Sequence, residues 1–190
     1  MTKIQERFEK IAREFIKRDG IDELLGMLRT TDFYTAPAST RYHHSVEGGL
    51  AKHTLEVFDH LITDLKWEKF DKESIAIVAL FHDICKIGFY KTEMRNTKDE
   101  SGKWVKVPYY TVEDIFPYGH GEKSVYLLSQ ILKLTEEEAM AIRWHMGLGE
   151  PKENYMYVQR AFAMYPLALH LHIADMKSSF IDWEEEKDGR

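Results

Sequence analysis

The sequence predicts an all-α fold, a bundle of helices with one inserted β-hairpin. Over most of the chain, apolar residues recur at spacings of three and four, which is the period of an amphipathic helix. Residues 88–118 depart from that period, because aromatic and β-favouring residues flank a polar segment that contains glycine. This second pattern is typical of two strands joined by a turn, which we place near residues 99–102.

The composition indicates a globular protein of ordinary make-up. Its 190 residues predict one domain spanning residues 1–190, large enough for a sizeable core. The net charge of −6 argues against a surface that attracts polyanions as a whole. Cys85 is the only cysteine, so no internal disulfide can form. The charged N-terminus lacks the apolar core of a signal peptide, and no apolar run is long enough for a membrane span. We expect a cytoplasmic protein without a membrane partner.

Two helices are expected at the start of the chain. Apolar residues recur at spacings of four, three and four from Ile4 to Phe15, and the helix should end near Asp19 and Gly20. A shorter helix over residues 21–28 presents leucines on one face. Both are predicted to be packing elements without chemistry of their own.

A loop and a longer helix follow. Residues 30–40 are predicted to form an irregular loop that leads to a pair of glycines at positions 48–49. The glycines allow close backbone approach before the next helix. We expect that helix over residues 50–65, ending near Trp67, with His53 in its first turn.

The next helix carries an adjacent histidine and aspartate. An uncharged apolar run over residues 75–81 predicts a buried helix, with Asp71 as its N-cap, and leads directly to His82 and Asp83. A carboxylate is rarely buried unless it is paired or binds a metal. Lys86 follows about one helical turn after Asp83. Imidazole and carboxylate together are the mixed ligand set that divalent metals accept.

The predicted hairpin is rich in cations, and two interpretations stay open. It is either a solvated surface or a lid over a metal site whose cations meet an anionic substrate. The cations are Lys91, Arg95, Lys98, Lys103 and Lys106.

The helices after the hairpin bring three further candidate ligands. His120 opens one helix. The Thr135-to-Glu138 segment has the form of a capping box and begins another helix, which ends near His145. A last long helix is expected over residues 156–183 with a possible break at its internal proline, and Asp175 lies on its apolar face.

The ordered set of histidines and aspartates resembles that of the HD-domain metal-dependent phosphohydrolases. Within that superfamily it is similar to the members with two additional histidines for a second metal. The segment from His43 to Leu50, followed by His53 and Thr54, also resembles the HD module of YhaM-type exoribonucleases. The resemblance extends from about residue 35 to residue 182. The set consists of His53, His82, Asp83, His120, His145 and Asp175.

The resemblance implies an all-α HD-domain helical bundle and a role for each member of this set. His53, His82, Asp83 and Asp175 match the residues that bind the first metal. His120 and His145, with Asp83 bridging, match those that bind a second, so two divalent ions are expected.

Further residues match less completely. Lys86 matches the lysine of the His-Asp-x-x-Lys pattern, so Lys86 and Asp83 are the catalytic candidates. Cys85 stands where that pattern often has glycine. Arg41, His44 and Lys123 are candidates for contacts with substrate phosphate. We interpret the remaining histidines as mostly structural: His43, His60, His170 and His172.

The implied function is hydrolysis of a phosphate ester by attack of a metal-activated water. The expected substrate is a nucleotide or a short nucleic-acid end. Two alternatives stay open, an HD-fold di-iron oxygenase with the same ligand order and a non-catalytic nucleotide-sensing module. The ligands alone do not distinguish Mn, Fe, Co, Ni and Mg, and the oligomeric state also stays open.

Overall fold

Eight α-helices and one two-stranded antiparallel sheet form the part of the chain that the structure describes, residues 1–65 and 70–182 of a computed structural model. This confirms the predicted fold class. The predicted helix ends near Trp67 and Trp183 lie outside the described residues. The elements are α1 Lys3–Phe15, α2 Ile21–Thr30, α3 Gly49–Leu65, α4 Lys72–Phe81, β1 Tyr90–Lys98, β2 Trp104–Val112, α5 His120–Ser129, α6 Glu136–Trp144, α7 Tyr155–Met164 and α8 Pro166–Lys177.

Helix α4 lies at the centre of the core. All seven of its residues from Ile75 to Phe81 are fully buried, which explains why the run carries no charge. Asp71 caps the helix as predicted, because its carboxylate accepts a hydrogen bond from the Ser74 amide at 3.1 Å. Helices α1, α3, α6 and α8 pack around it.

The α-helix does not continue to Lys86. It ends at Phe81, His82 keeps a helical backbone, and Asp83 leaves it with φ −103° and ψ 16°. A 3-10 turn at Ile84–Lys86 follows. The tighter turn places the side chains at positions 83 and 86 on one side of the chain, since residues three apart eclipse in a 3-10 helix.

The capping box predicted at the start of α6 is present and also joins three parts of the chain. Thr135 and Glu138 exchange hydrogen bonds between side chain and backbone. The buried Glu138 carboxylate also accepts hydrogen bonds from both terminal nitrogens of Arg18, at 2.7 and 3.0 Å, and from the Ser74 hydroxyl at 2.7 Å. Glu138 therefore connects the segment after α1, the first turn of α4 and α6.

The hairpin has the expected place and turn. Tyr90 pairs with Val112 at its base, and Lys98 pairs with Trp104 beside the turn. The Asp99 carboxylate accepts backbone hydrogen bonds from Ser101 and Lys103, which closes the turn. The base of the hairpin, at Tyr90, follows shortly after the 3-10 turn that ends at Lys86.

The final helical segment is divided at the internal proline. Pro166 occupies the first turn of α8, where its missing amide hydrogen costs no hydrogen bond. Beyond α8, Ser178–Asp182 forms a short π-helical segment. Within the described ranges, no helix combines the length and apolar character that a membrane span requires.

We predict that Glu138→Gln destabilises the protein in a pH-dependent way. Burial raises the pKa of Glu138, but the Arg18 hydrogen bond and its other donors lower it more, to below the ordinary 4.5. The carboxylate therefore stabilises the fold above about pH 4.5, and that contribution is lost as the pH falls through the depressed pKa. Urea unfolding at pH 7 should show a loss of about 2–3 kcal/mol.

The difference between wild type and Glu138→Gln should narrow as the pH falls below 4, because the wild-type carboxyl is then protonated as well. Glu153→Gln, at an exposed position, is the matched control and should change the free energy of unfolding by less than about 0.5 kcal/mol. An equal loss at pH 7 and at low pH would contradict the electrostatic explanation.

Candidate metal centre

Six candidate ligands from five separate segments meet in the interior. α3 brings His53, the end of α4 brings His82 and Asp83, α5 begins with His120, the residue after α6 is His145, and α8 brings Asp175. His53, His82, Asp83 and His145 are each at most 2% exposed. Four imidazoles and two carboxylates thus surround one point of the core.

The Asp83 carboxylate is at the middle of this group. Its Oδ1 lies 2.8 Å from Nε2 of His120 and 3.6 Å from Nε2 of His145. Its Oδ2 lies 3.7 Å from Nε2 of His53 and 3.6 Å from Nε2 of His82. Each carboxylate oxygen therefore faces its own pair of histidines.

Asp175 adds a second carboxylate on the Oδ2 side. Its Oδ1 lies 3.0 Å from Nε2 of His53, without the alignment of a hydrogen bond. The potential metal-ligating atoms of His53, His82 and Asp83 lie within 4.8 Å of one another, close enough to share one metal ion.

Hydrogen bonds from the Nδ1 atoms, on the side of the ring away from Asp83, fix the orientation of His82 and His145. Nδ1 of His82 donates to the Ala79 carbonyl at 2.9 Å, and Nδ1 of His145 donates to the Ile142 carbonyl at 2.7 Å. A carbonyl only accepts, so Nδ1 carries the proton and, in the neutral ring, Nε2 offers a lone pair.

His53 is oriented by a chain of two hydrogen bonds. The Ser178 hydroxyl donates to Glu56 at 2.7 Å and can therefore accept from Nδ1 of His53, 2.9 Å away. Among the described residues, the buried Nε2 atoms of His53 and His82 have no hydrogen-bond partner. Two unpartnered lone pairs beside a carboxylate are acceptors without a donor, and a divalent cation fits them.

The comparison with protein-family models identifies the fold. The model described as HD domain matches residues 50–178, which contain all six candidate ligands and the hairpin. The chain belongs to the HD-domain family. HD domains bind divalent metals and are generally metal-dependent phosphohydrolases. Neither the comparison with curated proteins nor that with solved structures gave a significant match.

Burial and neighbouring charges shift the pKa values of several groups in the centre of this HD domain. Burial raises the pKa of Asp83, but Lys86, whose Nζ lies 2.7 Å from Oδ2, and His82 lower it well below its ordinary value. Burial lowers the pKa of His82 to about 3, so its ring is neutral at pH 7. Burial also lowers the pKa of His145, but Asp83 raises it more. His145 therefore binds a proton readily, and a metal would compete with it.

The three residues predicted to contact substrate phosphate lie in different surroundings. Arg41 lines a cavity whose wall includes none of the six candidate ligands. His44 lies 2.7 Å from Glu56, and the buried Lys123 donates to Asp114 at 2.9 Å. Their assignment to substrate remains a prediction.

Several neighbours of the centre were not singled out from the sequence as part of it. Ser178 orients His53, and the Tyr90 hydroxyl donates to the Ala38 carbonyl, which also accepts from Lys86. Cys85, adjacent to the 3-10 turn's lysine, has its sulfur 3.3 Å from Nδ1 of His120. Ser178 lies 125 positions from His53 in the sequence, and no local sequence pattern predicts a contact between residues so far apart.

A cavity of about 670 Å³, the metal cavity, opens above the centre. Asp83, Lys86, His120 and Asp175 line its polar part, together with His43, whose ring centroid is 5.1 Å from that of His53. Most of its wall is apolar and includes exposed side chains at its mouth: Tyr42, Val112, Leu148, Met176 and Phe180.

We predict two metal sites, one at each carboxylate oxygen of Asp83, and we predict that the site at Oδ1 can lose its metal alone. Wild-type protein loaded with Mn²⁺ should hold about two ions per chain by elemental analysis. Asp83→Asn should lose both ions, because each carboxylate oxygen faces one pair of histidines. His145→Ala should keep about one ion, held by His53, His82, Asp83 and Asp175.

His60→Ala is the matched control for removing an imidazole, since His60 pairs with Asp182 away from the centre. It should keep the wild-type metal content. Two ions retained in His145→Ala would show that the second site is wrong.

Proposed function

We propose that this HD domain is a phosphohydrolase that uses two divalent metals to cleave a phosphate ester of a nucleotide or of a short nucleic-acid end. His53, His82, Asp83 and Asp175 would hold one ion. Asp83, His120 and His145 would hold the other. The observation that carries the proposal is Asp83, with one oxygen toward each pair of histidines.

The metals, when bound, would supply the Lewis acidity that makes water nucleophilic at neutral pH and neutralises charge on a phosphoryl group. The side chains prepare that chemistry. The outer hydrogen bonds of His53, His82 and His145 hold three rings in one tautomer, with their lone pairs toward Asp83.

Lys86 is suited to contact the phosphate. Its ammonium has three donors, and Asp83 Oδ2 and the Ala38 carbonyl use two of them, at 2.7 and 2.8 Å. Because Lys86 also lines the metal cavity, its third donor is available to a phosphoryl oxygen. The charge at that position would stabilise the developing negative charge.

The wall of the metal cavity supports an ester with a ring in its organic part. Tyr42 and Phe180 offer aromatic faces at the mouth, and aliphatic side chains complete the wall. A nucleoside ring could pack there while its phosphate reaches the polar part. The resemblance of the segment before His53 to YhaM-type exoribonucleases also favours a nucleic-acid end.

The direct test is turnover by purified protein loaded in turn with Mn²⁺, Fe²⁺, Co²⁺, Ni²⁺ and Mg²⁺. The panel contains nucleoside monophosphates, short oligonucleotides and bis(4-nitrophenyl) phosphate. We expect metal-dependent release of product from at least one ester. Oxygen consumption by the Fe²⁺ form without ester hydrolysis would instead support the di-iron oxygenase alternative. Binding of nucleotide without turnover of any ester would support the sensing module.

We predict that Lys86→Gln lowers kcat for the best ester of that panel about 100-fold or more, the usual effect of removing a group that stabilises transition-state charge. Metal content should stay near the wild-type value, because a lysine ammonium is no metal ligand. Lys10→Gln, at an exposed position of α1, is the control and should keep full rate. A loss of metal equal to the loss of rate would reduce Lys86 to a structural partner of Asp83.

A further inference from the structure

A second cavity of about 790 Å³ adjoins the metal cavity. It lies between the loop at residues 40–47 and the hairpin, and Thr40 lines both cavities. The two cavities therefore meet at Thr40, on the side of the metal cavity that faces the hairpin.

The second cavity carries two arginines that have no ion-pair partner among the described residues. Arg41 and Arg95 line it, and the acidic residue in its lining is Glu47. Within residues 1–65 and 70–182, neither guanidinium makes an ion pair. Arginine in this state is well suited to phosphate, because its planar fork binds two oxygens at once.

Aromatic rings accompany the two arginines. Tyr109 and Tyr110 line the same cavity. The Arg95 guanidinium lies 5.2 Å from the centre of the Tyr109 ring, and the Tyr109 hydroxyl donates to Glu93 at 3.1 Å. These contacts hold both side chains at the cavity wall. Cationic and aromatic groups along one groove are what proteins use to bind single-stranded nucleic acid, with phosphates on the cations and bases on the rings.

The metal cavity, in contrast, offers little unpaired positive charge from side chains. Lys86 is the cation in its lining, and Asp83 already binds it. A second phosphate of the same substrate would find little positive charge against the apolar wall. In the second cavity it would find Arg41 and Arg95, whose charges are not paired with a carboxylate in the described part of the chain.

We propose that the second cavity binds the nucleotide next to the scissile phosphate, so that the substrate is the end of a single-stranded oligonucleotide rather than a mononucleotide. Arg41 and Arg95 contact the neighbouring phosphate, and Tyr109 or Tyr110 stacks on its base. This inference rests on the proposed phosphohydrolase function for its catalytic part, but binding in the second cavity can be measured separately.

The test compares wild type with Arg41→Ala/Arg95→Ala. Its first readout is the ratio of kcat/KM for a trinucleotide to kcat/KM for bis(4-nitrophenyl) phosphate, which is too small to occupy both cavities. The ratio should fall at least about tenfold, the loss of charge-assisted phosphate contacts. The second readout is fluorescence anisotropy of a labelled trinucleotide with metal-free protein. Its Kd should rise by a similar factor and depend less steeply on salt.

The control variant, Lys10→Ala/Arg160→Ala, removes the same charge from exposed positions that line neither cavity. It should leave both readouts at their wild-type values. An unchanged ratio and an unchanged Kd in Arg41→Ala/Arg95→Ala would overturn the inference, as would equal losses in the control. If wild type hydrolyses neither ester, the proposed function fails, and the anisotropy series alone decides whether the second cavity binds the oligonucleotide.

Discussion

The buried Asp83 carboxylate needs positive charge or hydrogen-bond donors on both oxygens, because desolvation penalises an unpaired anion heavily. Only 2% of the residue is exposed. Lys86 supplies a cation at Oδ2, and His120 supplies a donor at Oδ1. The other histidines turn lone pairs toward it, which a proton or a metal must satisfy. Asp83 is held in place by the apolar helix α4, by the 3-10 turn that follows α4, and by the four helices that pack around α4.

Close backbone contacts bring His120 and His145 together. A Cβ at Gly121 would overlap the carbonyl of Arg143, so glycine allows α5 to approach α6 directly. His120 precedes that glycine and His145 follows α6, and their ring centroids are 5.1 Å apart. Gly49 plays the same part on the other side, where a Cβ would overlap the carbonyl of His44 and push the loop from the start of α3. The spacing of His120 and His145 thus depends on Gly121, and the approach of the loop at His44 to α3 depends on Gly49.

The sequence predicted what depends on local pattern. The period of apolar residues located the helices, the caps at Asp71 and Thr135 are present, and the aromatic stretches formed the hairpin. It did not predict contacts between different elements of the fold. The pairing of Ser178 with His53, 125 positions apart, follows from how helices pack, and the pairing of His44 with Glu56 and of Lys123 with Asp114 follows from how loops lie against helices. Periodicity indicates a buried face but not the partner opposite it.

The charge of the centre supports the proposal that its substrate is an anion. With neutral imidazoles, Asp83, Asp175 and Lys86 give the side chains a net charge of about minus one, and two divalent ions would change it to about plus three. A phosphate would offset part of that excess in a cavity whose wall is otherwise apolar. A further negative charge on the proposed substrate would be stabilised most outside the metal cavity, where Arg41 and Arg95 lie. In the proposed function the two cavities would divide one task, since the metals would act on a single phosphate and the arginines would distinguish a chain of phosphates from a lone one.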